Sequence, residues 1–390
     1  MQFKTFDILP HGTTIDFVGK RRIAVVLSLI ANLTIIAWSI GHGLNFGVDF
    51  AGGTEMEVKF DRALDPGDIR RSVEALGFKD ASVQTYGPVG EHSFLIRVGR
   101  IALMSQADVT RVVDAVKARF PVSSWAFDPE SGDKIDFQFG GAVADRDLLA
   151  AVEGAGVKVR EVREEAGLTA GSRSFAVITQ GIREKVEHDL AQRFGDARPE
   201  VRRVEYVGPA VGRELRNQGF KAILYAMALI VVYVGLRFDF RFSPGVIIAL
   251  LHDAVVTLGY FAFSGREFNL TSIAVILTVV GYSVNDTVVV YDRIRENQGK
   301  FKGRALTDLV NLSINEVLGR TFLTSFATAL SLVGLLVFGV GTLFDFASAM
   351  AVGIISGTYS TWFIAAPMTI WLEERAARRS AARPAAAASR

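Results

Sequence analysis

Apolar and polar positions divide this chain into two kinds of territory. Near the start, and again through the second half, unbroken apolar stretches approach the length a helix needs to cross a bilayer, about 20 residues. Six are read, at 23–40, 222–236, 245–263, 270–291, 321–340 and 344–372. Between the first and second the period drops to two, broken by short amphipathic segments. Residues 54–60 alternate as a strand, and 66–76 read as a helix with Asp65 placed to cap it. Residues 82–86 and 93–98 read as strands around a Gly/Pro turn, 106–120 as a helix and 123–127 as a closing strand. The same order then recurs, with strands at 134–139, 158–163, 174–179 and 203–207 and helices at 145–154 and 181–194.

The two passes share local detail. Leu76-Gly77-Phe78-Lys79 echoes Ala155-Gly156-Val157-Lys158, and His92-Ser93-Phe94 echoes Arg173-Ser174-Phe175. The offset is roughly 80 residues, about one βαββαβ unit. Any α/β sequence shows some such echoes, and the tandem repeat is the reading adopted. The expected fold is therefore a polytopic α-helical membrane protein with six transmembrane helices plus an external α+β domain. That domain, 43–217, is expected to hold two tandem ferredoxin-like βαββαβ units, 54–127 and 134–207. Residues 1–22 form a leading segment, 218–372 the other five helices and 373–390 a basic tail, expected to be disordered.

Composition supports this mosaic. Of 390 residues, 50% are hydrophobic and 22% charged, too apolar for an ordinary soluble protein and too charged for membrane helices alone. The net charge of +2 offers no basic field for nucleic acid. With no cysteine, disulfides and thiolate metal sites are excluded. The first apolar stretch lacks a small-residue cleavage pattern, so it reads as a retained span. Basic residues cluster in alternate short loops: Lys20, Arg21 and Arg22; Arg237 and Arg241; Arg293, Arg295, Lys300, Lys302 and Arg304; and Arg375, Arg378, Arg379 and Arg383. By the positive-inside rule both termini are expected in the cytoplasm and the long 43–217 segment outside, with the tail available to membrane lipid.

The sharpest chemical signal is Asp286, inside the fourth apolar stretch. The next charge, Asp292, is about 9 Å further along at helical rise. Intramembrane carboxylates mark ion or proton pathways, although one near a face can also snorkel or be capped. Arg320 is its natural partner, or else an arginine placed by topology at a helix end. Asp253, in His252-Asp253 of the third stretch, is a second relay candidate or a buried carboxylate bonded to a hydroxyl. Asn285, Thr287, Thr321, Thr324 and Ser325 are supporting polar groups that can bridge helices or hold water. Gly353-xxx-Gly357 reads as a packing face. No metal cluster, Ser-His-Asp set or phosphate loop is present, so a transporter without cofactor is expected rather than an enzyme.

Several segments together resemble the SecD/SecF family of protein-export subunits, within the resistance-nodulation-division superfamily. One is Asn45–Thr54, with Gly47, Asp49, Gly52, Gly53 and Thr54; another is the Val-Gly-Pro segment with Gly208 and Pro209. The most specific runs from Val280 to Asn297, through Gly281 and Tyr282; Ile314-Asn315-Glu316, Arg320-Thr321 and Gly357-Thr358-Tyr359-Ser360 also match. The resemblance covers nearly all of the membrane half and the ends of the external domain. It implies half of a pseudo-symmetric bundle completed by SecD, working with the SecYEG channel on a translocating preprotein. It implies proton-gradient-driven movement of that polypeptide across the bacterial inner membrane, with Asp286 and Arg320 in proton transport. The rivals are a small-molecule exporter half of the same superfamily and a scaffold that transports nothing. The external segment is longer than the single ferredoxin-like unit the family leads one to expect.

Overall fold

The computed structural model describes residues 14–75, 81–86, 90–99, 104, 106–127, 134–141, 143–165, 173–179, 182–238 and 243–387. The echo at Leu76–Lys79 and the loop residue Arg241 lie outside them. The chain forms two compact units, Met1–Gly47 with Leu215–Arg390, and Val48–Glu214.

The first unit is a helical bundle. Its helices are α1 (Arg21–His42), α7 (Pro209–Arg237), α8 (Ser243–Ser264), α9 (Leu270–Lys300), α10 (Leu306–Phe338), α11 (Thr342–Ser360) and α12 (Ala366–Ala387). They supply six spans long and apolar enough to cross a membrane, because α11 and α12 run on as one span, Thr342–Arg375. A helix suits this setting because it satisfies its own backbone polar groups. At the join, Thr361–Ala365 forms one π-helical turn. Pro367 has no N–H to continue the α-helical ladder there, and the Tyr291 hydroxyl donates to the Ala365 carbonyl at 3.0 Å. Gly245 makes room for this bond, since a Cβ there would stand 2.5 Å from the Tyr291 hydroxyl oxygen.

Two expectations are corrected here. The fifth span was read from 321, but α10 begins at Leu306, so Arg320 sits inside a long helix rather than opening it. The turns 306–320 are amphipathic rather than continuously apolar: Leu309, Val310, Ile314, Val317 and Leu318 are buried, and polar pairs tie the stretch to the far half of α9. Asn297 donates to Ser313 at 3.0 Å and to Glu316 at 2.6 Å, and Arg293 pairs with Glu316 at 2.6 Å. The tail expected to be disordered continues as helix to Ala387. Alanine and arginine are strong helix formers, and Glu374 pairs with Arg21 at 3.6 Å near the start of that stretch.

The second unit opens with the short helix α2 (Val48–Ala51) and continues β1 (Gly53–Lys59), α3 (Pro66–Ala75), β2 (Ser82–Tyr86) and β3 (Ser93–Val98). Then come α4 (Gln106–Arg119), β4 (Val122–Phe127), β5 (Lys134–Phe139), α5 (Asp145–Gly154), β6 (Val159–Glu165) and β7 (Arg173–Thr179). It ends with α6 (Ile182–Arg193) and β8 (Glu200–Val207). Two four-stranded sheets result, ordered β2-β3-β1-β8 and β4-β5-β7-β6, with antiparallel neighbours throughout.

The sheets are therefore not the contiguous copies 54–127 and 134–207. The closing helix–strand segments are exchanged: α6 and β8 complete the first sheet, α4 and β4 the second. Val186 and Leu190 of α6 share a core with Met56, Val58 and Ile96, whereas Val109 and Val112 of α4 share one with Phe137 and Phe175. Chain locality explains the exchange. The exchange replaces two closures of middling length, β4 onto β1 and β8 onto β5, by one short hairpin, β4–β5, and one long closure, β8 onto β1. Because closure cost grows only logarithmically with length, that pair costs less. The exchange also pairs Gly53 with Val207, so the two ends of this long insertion lie side by side. At its first strand Gly53 has φ 130°, and a Cβ there would lie 2.8 Å from the Val98 carbonyl oxygen.

Candidate functional site

Two helices of the bundle meet closely because two glycines permit it. α11 packs on α9 where Gly353 faces Val279 and Gly357 faces Ser283. A side chain at Gly353 would collide with the Val279 methyls, and a Cβ at Gly357 would lie 3.0 Å from the Ser283 Cβ. Along this seam lie the polar groups of α8, α9 and α11.

Asp253 of α8 is fully buried. Three serine hydroxyls donate to it: Ser283 to Oδ2 at 2.6 Å, Ser360 to Oδ2 at 2.7 Å and Ser356 to Oδ1 at 2.7 Å. The His252 Nδ1 lies 3.0 Å from Oδ1. Both carboxylate oxygens are thus satisfied from three helices. One turn further along α9, the Thr287 hydroxyl bonds back to the Ser283 carbonyl and across, at 2.9 Å, to Thr361 in the π turn.

Asp286 sits beside Thr287 and is 2% exposed. It differs from Asp253 in that its Oδ2 is buried with no hydrogen-bond partner among the described residues. The charge that reaches it is that of Arg320 on α10, but no ion pair closes between the two. Arg320 lies on the exposed side of α10, while its neighbour Thr321 is 1% exposed with an Oγ1 unpartnered among the described residues. A buried carboxylate oxygen without a partner is costly, and a proton or an approaching cation relieves that cost. The arrangement is one of a charge held near its counter-ion and apart from it.

The supporting residues divide. Ser325 bonds Thr358 at 2.9 Å and receives the Tyr282 hydroxyl at 3.3 Å, tying α9, α10 and α11 together. Asn285 and Thr324 face outward instead; the Thr324 hydroxyl bonds back to the carbonyls of Arg320 and Thr321. Thr278 and Gly281 of α9 and Arg320 of α10 are also exposed among the described residues. The glycine-motif residues build a separate place. Gly47 donates to the Phe268 carbonyl at 3.0 Å in the first unit, whereas Asp49, Gly52, Gly53 and Thr54 begin the second. Gly208 and Pro209 start α7, where the Gly212 N–H bonds the Gly208 carbonyl at 2.9 Å. Sequence reading did not single out Ser283, Ser356 and Thr361. The available signal was the spacing of Ser283 with Thr287 and of Ser356 with Ser360, pairs four apart on otherwise apolar helices.

Comparison with known proteins gives the same direction from outside the geometry. Residues 186–375 match the family described as protein export membrane protein SecD/SecF, C-terminal, and residues 37–63 match the SecD/SecF GG motif. A protein translocase subunit SecF from Koribacter versatilis is 36% identical over 96% of both chains. One from Magnetococcus marinus is 35% identical over 97% of this chain and 98% of its own. Among solved structures, a Thermus SecDF, titled a translocon-associated membrane protein, is similar at 26% identity with a TM-score of 0.62. A SecDF in a super-membrane-facing form is similar at 27% identity with a TM-score of 0.57. The match covers 93% and 95% of this chain but only 39% and 40% of those longer chains. The chain belongs to the SecF family of protein translocase subunits.

Proposed function

We propose that this chain is the SecF half of a SecD–SecF pair that uses the proton motive force to help secretory polypeptides across the inner membrane. In this reading SecYEG supplies the channel and the translocating preprotein is the cargo. Both termini lie in the cytoplasm and the α+β unit in the periplasm, in line with the alternation of basic loops. The observation that carries the proposal is the state of Asp286, buried within a membrane helix, with one oxygen unpartnered and Arg320 near but not in contact.

A proton arriving at Asp286 removes the charge that draws Arg320 toward α9, and α10 shifts. Loss of the proton restores the attraction, and repeated cycles move the attached periplasmic unit. One charge crossing 100 mV supplies roughly 2.3 kcal/mol, so many protons per polypeptide are required. The exposure of Asn285 and Arg320 supports the pairing, because an amide and a guanidinium facing lipid are costly and a partner helix bundle would cover them.

The test is gradient-dependent export of a reporter preprotein into inverted membrane vesicles, comparing wild type with Asp286→Asn at equal SecD association. Loss of the gradient-stimulated part supports the motor. Unchanged export makes the chain a scaffold.

A further inference from the structure

The motif Ile314-Asn315-Glu316 has no part in the cycle above, yet it is built into an unusual contact. Asn315 and Asn311 stand one turn apart on α10. The Asn315 side chain grips the backbone of Ile15 from both sides: its Oδ1 accepts the Ile15 N–H at 2.8 Å, and its Nδ2 donates to the Ile15 carbonyl at 2.8 Å. Asn311 Oδ1 accepts the N–H of Phe17 at 2.9 Å and that of Val18 at 3.4 Å. Two amide side chains thus hold the backbone of residues 15–18, where the chain enters the turn 17–20 ahead of α1. Asp16 Oδ1 then accepts the Gly19 N–H at 2.7 Å and turns the chain into α1.

The other side of this strap is apolar. Phe17 and Val18 are 4% and 5% exposed. The Phe17 ring packs 5.5 Å from both the Trp362 and Phe363 rings, which belong to the π turn. The neighbouring Thr361 of that turn bonds Thr287, next to Asp286. On the α10 side, Asn315 is about 7.5 Å along the helix axis from Arg320. The strap therefore spans the two elements that flank Asp286, namely the π turn and the helix that carries Arg320.

We propose that residues 14–19 form a positioning clamp for the transport site, with Asn311 and Asn315 as positioning residues that set where α10 holds Arg320 relative to Asp286. This rests on the proton-site reading given above. The clamp holds Ile15 through its backbone N–H and carbonyl, and this permits a discriminating experiment. Ile15→Val keeps both of these hydrogen bonds, whereas Ile15→Pro removes the N–H given to Asn315.

Gradient-stimulated and gradient-independent export are measured per assembled SecD complex, alongside hydrogen exchange of α10 amides 316–324. Ile15→Pro and Asn315→Ala are expected to lower the gradient-stimulated part at least fivefold and to speed exchange in that stretch. Gradient-independent export stays unchanged, and Ile15→Val behaves as wild type. If Ile15→Pro fails to accumulate, Asn311→Ala, which removes only the contacts to Phe17 and Val18, takes its place. Wild-type export and exchange in these variants, or equal loss of both export components, would overturn the clamp. Asp286→Asn is run in parallel: normal export there removes the proton reading, and the clamp is then judged on the exchange of α10 alone.

Discussion

Two carboxylates are buried in one membrane bundle, and their surroundings are opposite. Asp253 takes three serine hydroxyls and a histidine nitrogen, and neither oxygen is left over. Asp286 has an oxygen with no partner among the described residues and a guanidinium that does not close on it. A group whose hydrogen bonds are complete is held in one state, because any change breaks several bonds together. A group left incomplete gains by taking a proton or a counter-ion, so it suits a step that must reverse. Burial alone does not separate the two carboxylates; the number of partnered oxygens among the described residues does.

The comparison is broken most directly at Asp286. Asp286→Asn removes the titrating group from a site that offers it little. Gradient-stimulated export is expected to fall at least tenfold, while thermal unfolding of the detergent-solubilised complex stays at or above wild type. A variant that loses stability and activity in parallel would place Asp286 among the structural residues.

The next effect is steric. Gly353→Leu forces a side chain into Val279 where α11 meets α9, and overpacking of this kind costs about 1–3 kcal/mol. The complex is expected to accumulate poorly, because this seam carries Ser283 and Ser356, which hold Asp253. Normal accumulation and unfolding would mean that α11 can move off α9 without cost, and the contrast between the two sites would lose its rigid frame.

How much of this was legible beforehand depended on the range of the forces. The apolar lengths that mark six spans are local, as are the alternating strands, and both are present in the fold. Asp286 stood out because a charge in a long apolar run needs no partner to be noticed. The exchange of β4 and β8 could not be read, because the two closing segments have the same pattern and only loop closure chooses between them. The first turns of α10 are amphipathic, broken by Asp308, Glu316 and Arg320, so the apolar run alone does not extend to them. The serines around Asp253 come from helices far apart in sequence, and a serine in an apolar helix is more often plain packing.

At Asp253 the expected result is the reverse of that at Asp286. Asp253→Asn turns one accepting oxygen into a donor that faces hydroxyls already donating. Buried mispairing costs about 1–3 kcal/mol, so the unfolding temperature of the complex should drop. Export per surviving complex should keep its gradient dependence. A variant that is stable yet uncoupled would make Asp253 part of the relay and erase the distinction drawn here.

The smallest effects sharpen the contrast. Ser283→Ala, Ser356→Ala and Ser360→Ala each remove one donor to Asp253. Interhelical hydrogen bonds in membranes contribute only about 0.6 kcal/mol on average, since the alternative states also find partners. Each single change should therefore be near the limit of detection by thermal unfolding. The triple variant leaves the carboxylate with His252 alone, and its loss should exceed the sum of the three, because the last donors removed are the ones the carboxylate can least replace. An additive series would mean that the three serines act independently. A series steeper than additive is what a carboxylate held in one state by a complete set of donors requires.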